Sequence, residues 1–140
     1  MATTRANIVL SSADLMDNNI SIANDMTLTN QGTDTGMTKT TGLTRITTSA
    51  TSNVVILDSG ASGGVQAQES ITGGKVFIQN LNDRGDGTKY VTILLQAVEI
   101  GRLYGGDWAF FPWEGGAGND IEITPSDATS TDLEYIAFYE

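Results

Sequence analysis

Apolar and polar residues alternate along much of the chain, and this period of two is the pattern of half-buried β-strands. The first clear example runs from Ile20 to Leu28, with apolar residues at positions 20, 22, 26 and 28. Leu43–Thr48 predicts a weaker strand. Val54–Leu57 is a continuous apolar run, short enough for a strand buried on both faces. The first half of the chain therefore predicts short strands separated by polar segments.

The apolar pattern becomes denser from Lys75 to the end of the chain. Lys89–Leu103 is rich in Val, Ile and Thr, which favours one long strand over the helix that Leu94–Glu99 would also tolerate. Gly101 indicates a bend or bulge in that strand. Further strands are predicted at Val76–Ile78, Asp107–Trp113, Ile121–Ile123 and Leu133–Tyr139.

These segments predict an all-β protein: a jelly-roll-like antiparallel β-sandwich of eight or nine short strands with long loops. Two polar, glycine-containing segments, Thr29–Gly42 and Ser59–Gly74, are as long as the loops that often serve a function. We expect a single sandwich domain over residues 20–140, preceded by an N-terminal arm or first strand over residues 1–19.

The composition restricts the chemistry open to the chain. Its 140 residues include neither Cys nor His, which removes the usual nucleophiles, proton shuttles and transition-metal ligands. The net charge of −10 repels phosphate backbones, so we expect no nucleic-acid partner. No apolar segment is long enough for a signal peptide or a membrane span, so we expect synthesis in the cytoplasm and no membrane contact. We predict neither enzyme activity nor a cofactor or metal site.

Arg84–Asp86 spells the integrin-recognition tripeptide within the turn-rich cluster Asn82–Gly87. We favour a tight turn, because Asp-Gly supplies the backbone conformation that such turns need. The cluster also offers oxygen ligands for calcium, but Arg84 stands where the EF-hand loop needs an oxygen ligand. A calcium site of another kind stays open. The glycine-rich segments Ser59–Gly64 and Gly115–Gly118 match no phosphate-binding motif.

Aromatic residues are concentrated at positions 104–113. On one strand, Trp108 and Phe110 are predicted to face one side, and Phe111 and Trp113 the opposite side. One side belongs in the core, and the other, if exposed, forms a subunit interface. Core alone, or a platform for sugars, are the alternatives. Together with the apolar N-terminal patch, the candidate interface residues are Ile8, Val9, Leu10, Tyr104, Trp108, Phe110, Phe111 and Trp113.

The C-terminal half resembles small virion structural proteins of tailed bacteriophages, and within that group it is most similar to capsid decoration (cement) proteins. The resemblance covers residues 75–140 and is carried by a succession of strand motifs. These are Lys75–Asn80 (KVFIQN), Tyr90–Ile93 (YVTI), Glu99–Leu103 (EIGRL), Asp107–Trp113 (DWAFFPW) and Leu133–Tyr139 (LEYIAFY).

The resemblance implies a β-sandwich subunit, usually a homotrimer, that binds the major capsid protein and stabilises the shell from the virion surface. Met1–Leu10 and the two long loops would then be arms that contact neighbouring subunits. Two other functions stay open: a tail, head–tail adaptor or fibre-associated protein, and a carbohydrate-binding module. Paired carboxylates, as in glycoside hydrolysis, are the remaining enzymatic route, but no pair is marked out.

Overall fold

The computed structural model describes residues 3–14, 19–30, 32–49, 51–58, 73–115, 118–126 and 130–139. The chain divides into two compact units, Met1–Thr38 and Lys39–Glu140. The sequence analysis placed an arm or first strand over residues 1–19 before a domain over residues 20–140. The strand Ile20–Thr27 pairs with Arg5–Ser12, and both strands lie in the first unit.

The first unit contains an antiparallel hairpin of β1 (Arg5–Ser12) and β2 (Ile20–Thr27), paired without a register shift from Arg5 with Thr27 to Ser12 with Ile20. Beyond the hairpin, the Leu28 amide donates to the Thr4 carbonyl at 2.7 Å. The predicted strand at Ile20–Leu28 is confirmed. Its apolar side chains at positions 20, 22 and 26 are exposed, however, and only Leu28 is buried. Alternating apolar residues predict a strand with one apolar side, but they do not show whether another element covers that side.

The second unit is a jelly-roll-like antiparallel β-sandwich, as predicted. Its described residues form nine strands: β3 (Lys39–Thr40), β4 (Thr44–Thr48), β5 (Val54–Leu57), β6 (Gly74–Asn80), β7 (Val91–Leu95), β8 (Val98–Leu103), β9 (Trp108–Trp113), β10 (Ile121–Pro125) and β11 (Thr131–Tyr139). One sheet has the order β5-β10-β7-β8, and the other has the order β3-β11-β6-β9, with β4 also paired to β11. No helix occurs in the described residues.

Alternate residues of the strands fill one core between the two sheets. Tyr135 and Trp113 are the largest aromatic side chains in it, at 1% and 2% exposure. The Trp113 indole satisfies its donor by binding the Asn119 carbonyl at 2.7 Å. The aliphatic part of the core is Ile56, Leu57, Val76, Ile78, Val91, Ile93, Leu103, Ile121, Ile123 and Leu133.

The predicted single strand over Lys89–Leu103 is wrong, because β7 and β8 form a hairpin. Gln96 and Ala97 make its two-residue turn with φ of 50° and 59°. Two consecutive residues with positive φ suit a tight hairpin turn. Such turns usually contain Asn-Gly or Asp-Gly, and Gln96-Ala97 has neither, so the sequence did not predict the turn. The helical alternative over Leu94–Glu99 is wrong as well. The expected bulge is present: partners shift between Ile93 and Leu94, which leaves Ile100 as the extra residue beside Gly101.

The structure describes the two predicted long loops to different extents. The predicted loop Ser59–Gly74 lies outside the described residues except for its end, where Gly74 begins β6. In the described residues of the predicted loop Thr29–Gly42, a bridge joins Thr29 to Gly36, and the short strand β3 follows. Within the described part of the chain, no helix is long and apolar enough to cross a membrane.

Candidate interaction surfaces

The β1–β2 hairpin has two chemically different sides. Directly paired residues point to the same side of a sheet, so the register divides the side chains into two sets. Apart from Ser12 and Asn24, the first set is apolar, and we call it the hairpin apolar face: Ala6, Ile8, Leu10, Ser12, Ile20, Ile22, Asn24 and Met26. The opposite set is mostly polar: Arg5, Asn7, Val9, Ser11, Ser21, Ala23, Asp25 and Thr27.

The hairpin apolar face is open to solvent and carries no charge. Leu10 and Ile22, which are paired to each other, are 54% and 56% exposed. Ile20 and Met26 add 37% and 41% exposure on the same side. The charged residues of the two strands lie on the opposite side, where Arg5 binds the Asp25 carboxylate at 2.6 Å.

The predicted N-terminal patch is divided between these sides. Ile8 and Leu10 belong to the apolar face, whereas Val9 points to the polar side and is 59% exposed there. Sequence reasoning did not include Ile20, Ile22 and Met26, since it assigned their alternation to a half-buried strand. The alternation of these residues is visible in the sequence, but recognising them as part of this face requires knowing that β2 pairs with β1.

The aromatic residues of β9 also lie on two sides, as predicted. Phe111 packs against the core and Trp113 is buried in it, so neither side chain is presented on the outer face of the sheet. Trp108 is 47% exposed, and Phe110 is half-buried on that outer face. Phe77 on β6 pairs with Phe110, and its ring centroid lies 6.2 Å from that of Trp108. We call Phe77, Trp108 and Phe110 the sheet aromatic face.

An apolar groove of about 370 Å³ lies between β8 and β9, which are end strands of the two different sheets. Gly101 faces the same side as the buried Ile93, and a Cβ added to it would meet nothing within 4 Å. The groove is therefore open partly because position 101 has no side chain. Its lining also includes Ile100, Arg102, Leu103, Trp108, Ala109, Phe110 and Phe111.

Tyr104 belongs to a small cluster beside this groove and is 45% exposed. Its ring lies 5.4 Å from that of Tyr90, and the Arg102 guanidinium lies 4.9 Å above the Tyr90 ring. Tyr90 first, and then Glu99, raise the pKa of Arg102 above its ordinary value. The cluster consequently presents a permanent cation held between an aromatic ring and a carboxylate.

The turn-rich cluster at the start of the β6–β7 connection uses its polar groups internally. Arg84 donates to the Gly106 carbonyl at 3.1 Å, and Asp83 accepts from the Gly85 amide at 3.1 Å. The amide and hydroxyl of Thr88 bind the Asp86 carboxylate, and these bonds lower the pKa of Asp86. The segment forms turns, but the tight hairpin turn predicted from Asp86-Gly87 is wrong, because neither Gly85 nor Gly87 has a positive φ and β6 and β7 lie in different sheets. Among the described residues, no three acidic groups come together to hold a metal ion.

Comparison with known proteins yields few matches. No protein-family model matches the chain, and no curated protein matches it. Among solved structures, the cupin domain of Schizosaccharomyces pombe Cnp3 is similar with a TM-score of 0.42 and 8% sequence identity, over 96% of this chain and 84% of that domain.

Proposed function

We propose that this chain is a non-enzymatic structural protein of a tailed-phage virion, of the decoration type, which binds the outer surface of the capsid shell and stabilises it. The observation that carries the proposal is the sheet aromatic face: Trp108 is about half exposed on a sheet whose opposite side is a packed core. The resemblance of residues 75–140 to decoration proteins supports the same function.

The sheet aromatic face has the properties of a binding surface. Trp and Phe supply large apolar area at low cost in conformational entropy, and Trp is enriched among the residues that dominate binding energy. The neighbouring strands β6 and β11 hold it in place through continuous antiparallel pairing. Pro112 has no amide hydrogen to donate, which discourages strand addition along β9. A partner would therefore contact the face of the sheet.

The charge of the chain indicates the kind of surface that it would meet. Seventeen acidic residues against seven basic ones give a strongly negative exterior. Such an exterior speeds association with a basic surface and opposes association with an acidic one. We therefore propose a major capsid protein with a basic outer surface as the partner. Binding to it should weaken as the salt concentration rises.

The proposal is tested by sedimenting the purified chain with capsid shells prepared without it. Replacing both Trp108 and Phe110 with Thr should weaken binding about tenfold or more, because it removes the central aromatic contacts. Leu43→Thr is the control, since Leu43 is 61% exposed and belongs to neither surface. Fluorescence of the buried Trp113 reports whether the sandwich stays folded. Unchanged binding by the double variant would refute the proposed surface.

A carbohydrate-binding function is the second candidate, and one observation favours it. Trp108 lines the apolar groove together with Arg102, so a sugar ring stacked on the indole would have a hydrogen-bond donor beside it. Binding to a glycan array that is lost in Trp108→Ala, with the fold intact, would support this function. A tail location is distinguished by copy number in the particle.

A further inference from the structure

The hairpin apolar face is incomplete as a structural element. A two-stranded hairpin is marginally stable in water, and independent stability needs more strands or a packed apolar side. Here every residue of β2 is exposed, and β1 is exposed or half-buried throughout. The face that would be expected to pack holds Ile8, Leu10, Ile20, Ile22 and Met26 in one group. Another polypeptide layer would complete it.

Charge indicates which polypeptide would cover the hairpin apolar face. The chain carries a net charge of −10, so a foreign partner selected by charge would meet acidic side chains at its contact. The hairpin apolar face has none, and its Arg5–Asp25 pair lies on the opposite side. A second copy of the chain is equally acidic, so two copies meet the least repulsion where they approach through an uncharged surface. The face is the part of the hairpin that satisfies this condition.

We propose that the hairpin apolar face binds the same face of a second copy of this chain. The contact is aliphatic, as in interfaces between identical subunits, which are more apolar than those between independent proteins. Stacking two hairpins about 10 Å apart produces a two-layer unit of four strands, which meets the requirement for a stable sheet element. Leu10 and Ile22, paired near the middle of the face, would form the centre of the contact.

This inference rests on the proposed function and adds to it a partner for the hairpin apolar face. Its test needs only the purified chain and no virion component. The sheet aromatic face can fail to bind shells while the hairpins still associate, and the reverse is equally possible. The two experiments therefore separate the two proposals.

The first test measures the oligomeric state of the purified chain by sedimentation velocity. We expect the wild type to be an oligomer, and the double variant Leu10→Thr with Ile22→Thr to be a monomer. Val9→Thr is the matched control, since Val9 neighbours Leu10, is 59% exposed and points to the polar side. Both tryptophans, Trp108 and Trp113, lie in the second unit, so their fluorescence reports on the sandwich independently of the hairpin.

A second test keeps the hairpin largely intact, in case the double variant loses its strand pairing. The natural chain has no Cys, so Ile22→Cys and Ala23→Cys place single thiols on the apolar and polar sides of β2. A short bis-maleimide reagent should link two copies through position 22 and not through position 23. A monomeric wild type, an oligomer that survives the double variant, or equal linkage at both positions would overturn the inference. If the wild type is a monomer and the Leu10→Thr, Ile22→Thr double variant also fails to bind capsid shells, the hairpin apolar face binds the capsid protein instead.

Discussion

Asn80 at the end of β6 is fully buried, and both polar atoms of its side chain are hydrogen-bonded, to β8 and to the β6–β7 connection. Its amide nitrogen donates to the carbonyls of Lys89 and Leu103, at 3.1 and 3.0 Å. Its oxygen accepts from the backbone and side-chain amides of Asn82, at 3.0 and 2.6 Å. β6 belongs to one sheet and β8 to the other, so one side chain joins the two sheets at this end of the sandwich.

Asn80→Ala should therefore be strongly destabilising. It leaves the buried Leu103 carbonyl and the partly buried Lys89 carbonyl without these donors, which predicts a loss of about 3 kcal/mol in the free energy of unfolding. Asn53→Ala is the control, because Asn53 is exposed and binds Glu122 at the surface, and it should cost less than about 1 kcal/mol. Urea unfolding of both variants measures the difference. Equal stability of the two would show that Asn80 does not link the sheets.

Ala97 sits in the left-handed region, where its Cβ is strained. Its φ of 59° is one of two positive values among the described non-glycine residues. Ala97→Gly should raise the free energy of unfolding by up to about 1 kcal/mol, because the relief of this strain exceeds the added entropy of the unfolded chain. Ala109→Gly, in the regular strand β9, should change stability in the opposite direction. Thermal unfolding compares them, and a destabilised Ala97→Gly would contradict the turn geometry.

Tyr135 makes the stability of the sandwich sensitive to alkaline pH. Burial raises the pKa of the Tyr135 hydroxyl, although its hydrogen bond with Thr44 opposes the shift. The folded chain therefore keeps this proton after the unfolded chain has lost it at a pKa of about 10. The stabilisation is complete below the unfolded pKa and declines as the pH rises above it.

Denaturation measured from pH 8 to pH 11 tests this linkage. The midpoint of the wild type should fall with a steeper slope than that of Tyr135→Phe, which has no hydroxyl to titrate at this site. Tyr104→Phe is the matched control, since it removes the same hydroxyl from a side chain that is 45% exposed. Identical slopes for the wild type and Tyr135→Phe would exclude Tyr135 as the group responsible.

At the scale of the strands, Gly101 within β8 and Gly105 in the β8–β9 connection have opposite roles. A Cβ on Gly101 would enter the open groove, whereas a Cβ on Gly105 would lie 2.2 Å from the Asp83 carbonyl oxygen. Gly101→Ala should consequently be neutral or stabilising by up to about 1 kcal/mol. Gly105→Ala should cost more than about 2 kcal/mol, because backbone must move. Comparable unfolding midpoints for the two variants would contradict this assignment.

The strands illustrate what sequence patterns can and cannot predict. Alternation located β2, and it separated Trp108 and Phe110 from Phe111 and Trp113 correctly, because the pleat directly determines which side a residue faces. The β7–β8 turn was not predicted because Gln96 and Ala97 are not residue types that normally indicate a positive φ. The roles of Gly101 and Gly105 depend on atoms far away in the sequence. The hairpin apolar face required the register between β1 and β2, which no single strand contains.

At the scale of the whole chain, each of the two units offers an apolar surface of a different kind. The hairpin in the first unit presents an aliphatic face without charge, and the sandwich in the second presents exposed aromatic side chains. We assign the aliphatic surface to a second copy and the aromatic one to a capsid shell. Repetition over a symmetric shell would add avidity to individually weak contacts.

The number of copies of this chain relative to the major capsid protein in purified virions tests the central claim most directly. Quantitative mass spectrometry provides this ratio. A decoration protein predicts one copy per capsid protein or a simple fraction such as one to three, because its sites repeat with the symmetry of the shell. A handful of copies per particle, as for a tail or portal component, or none at all, would contradict the account.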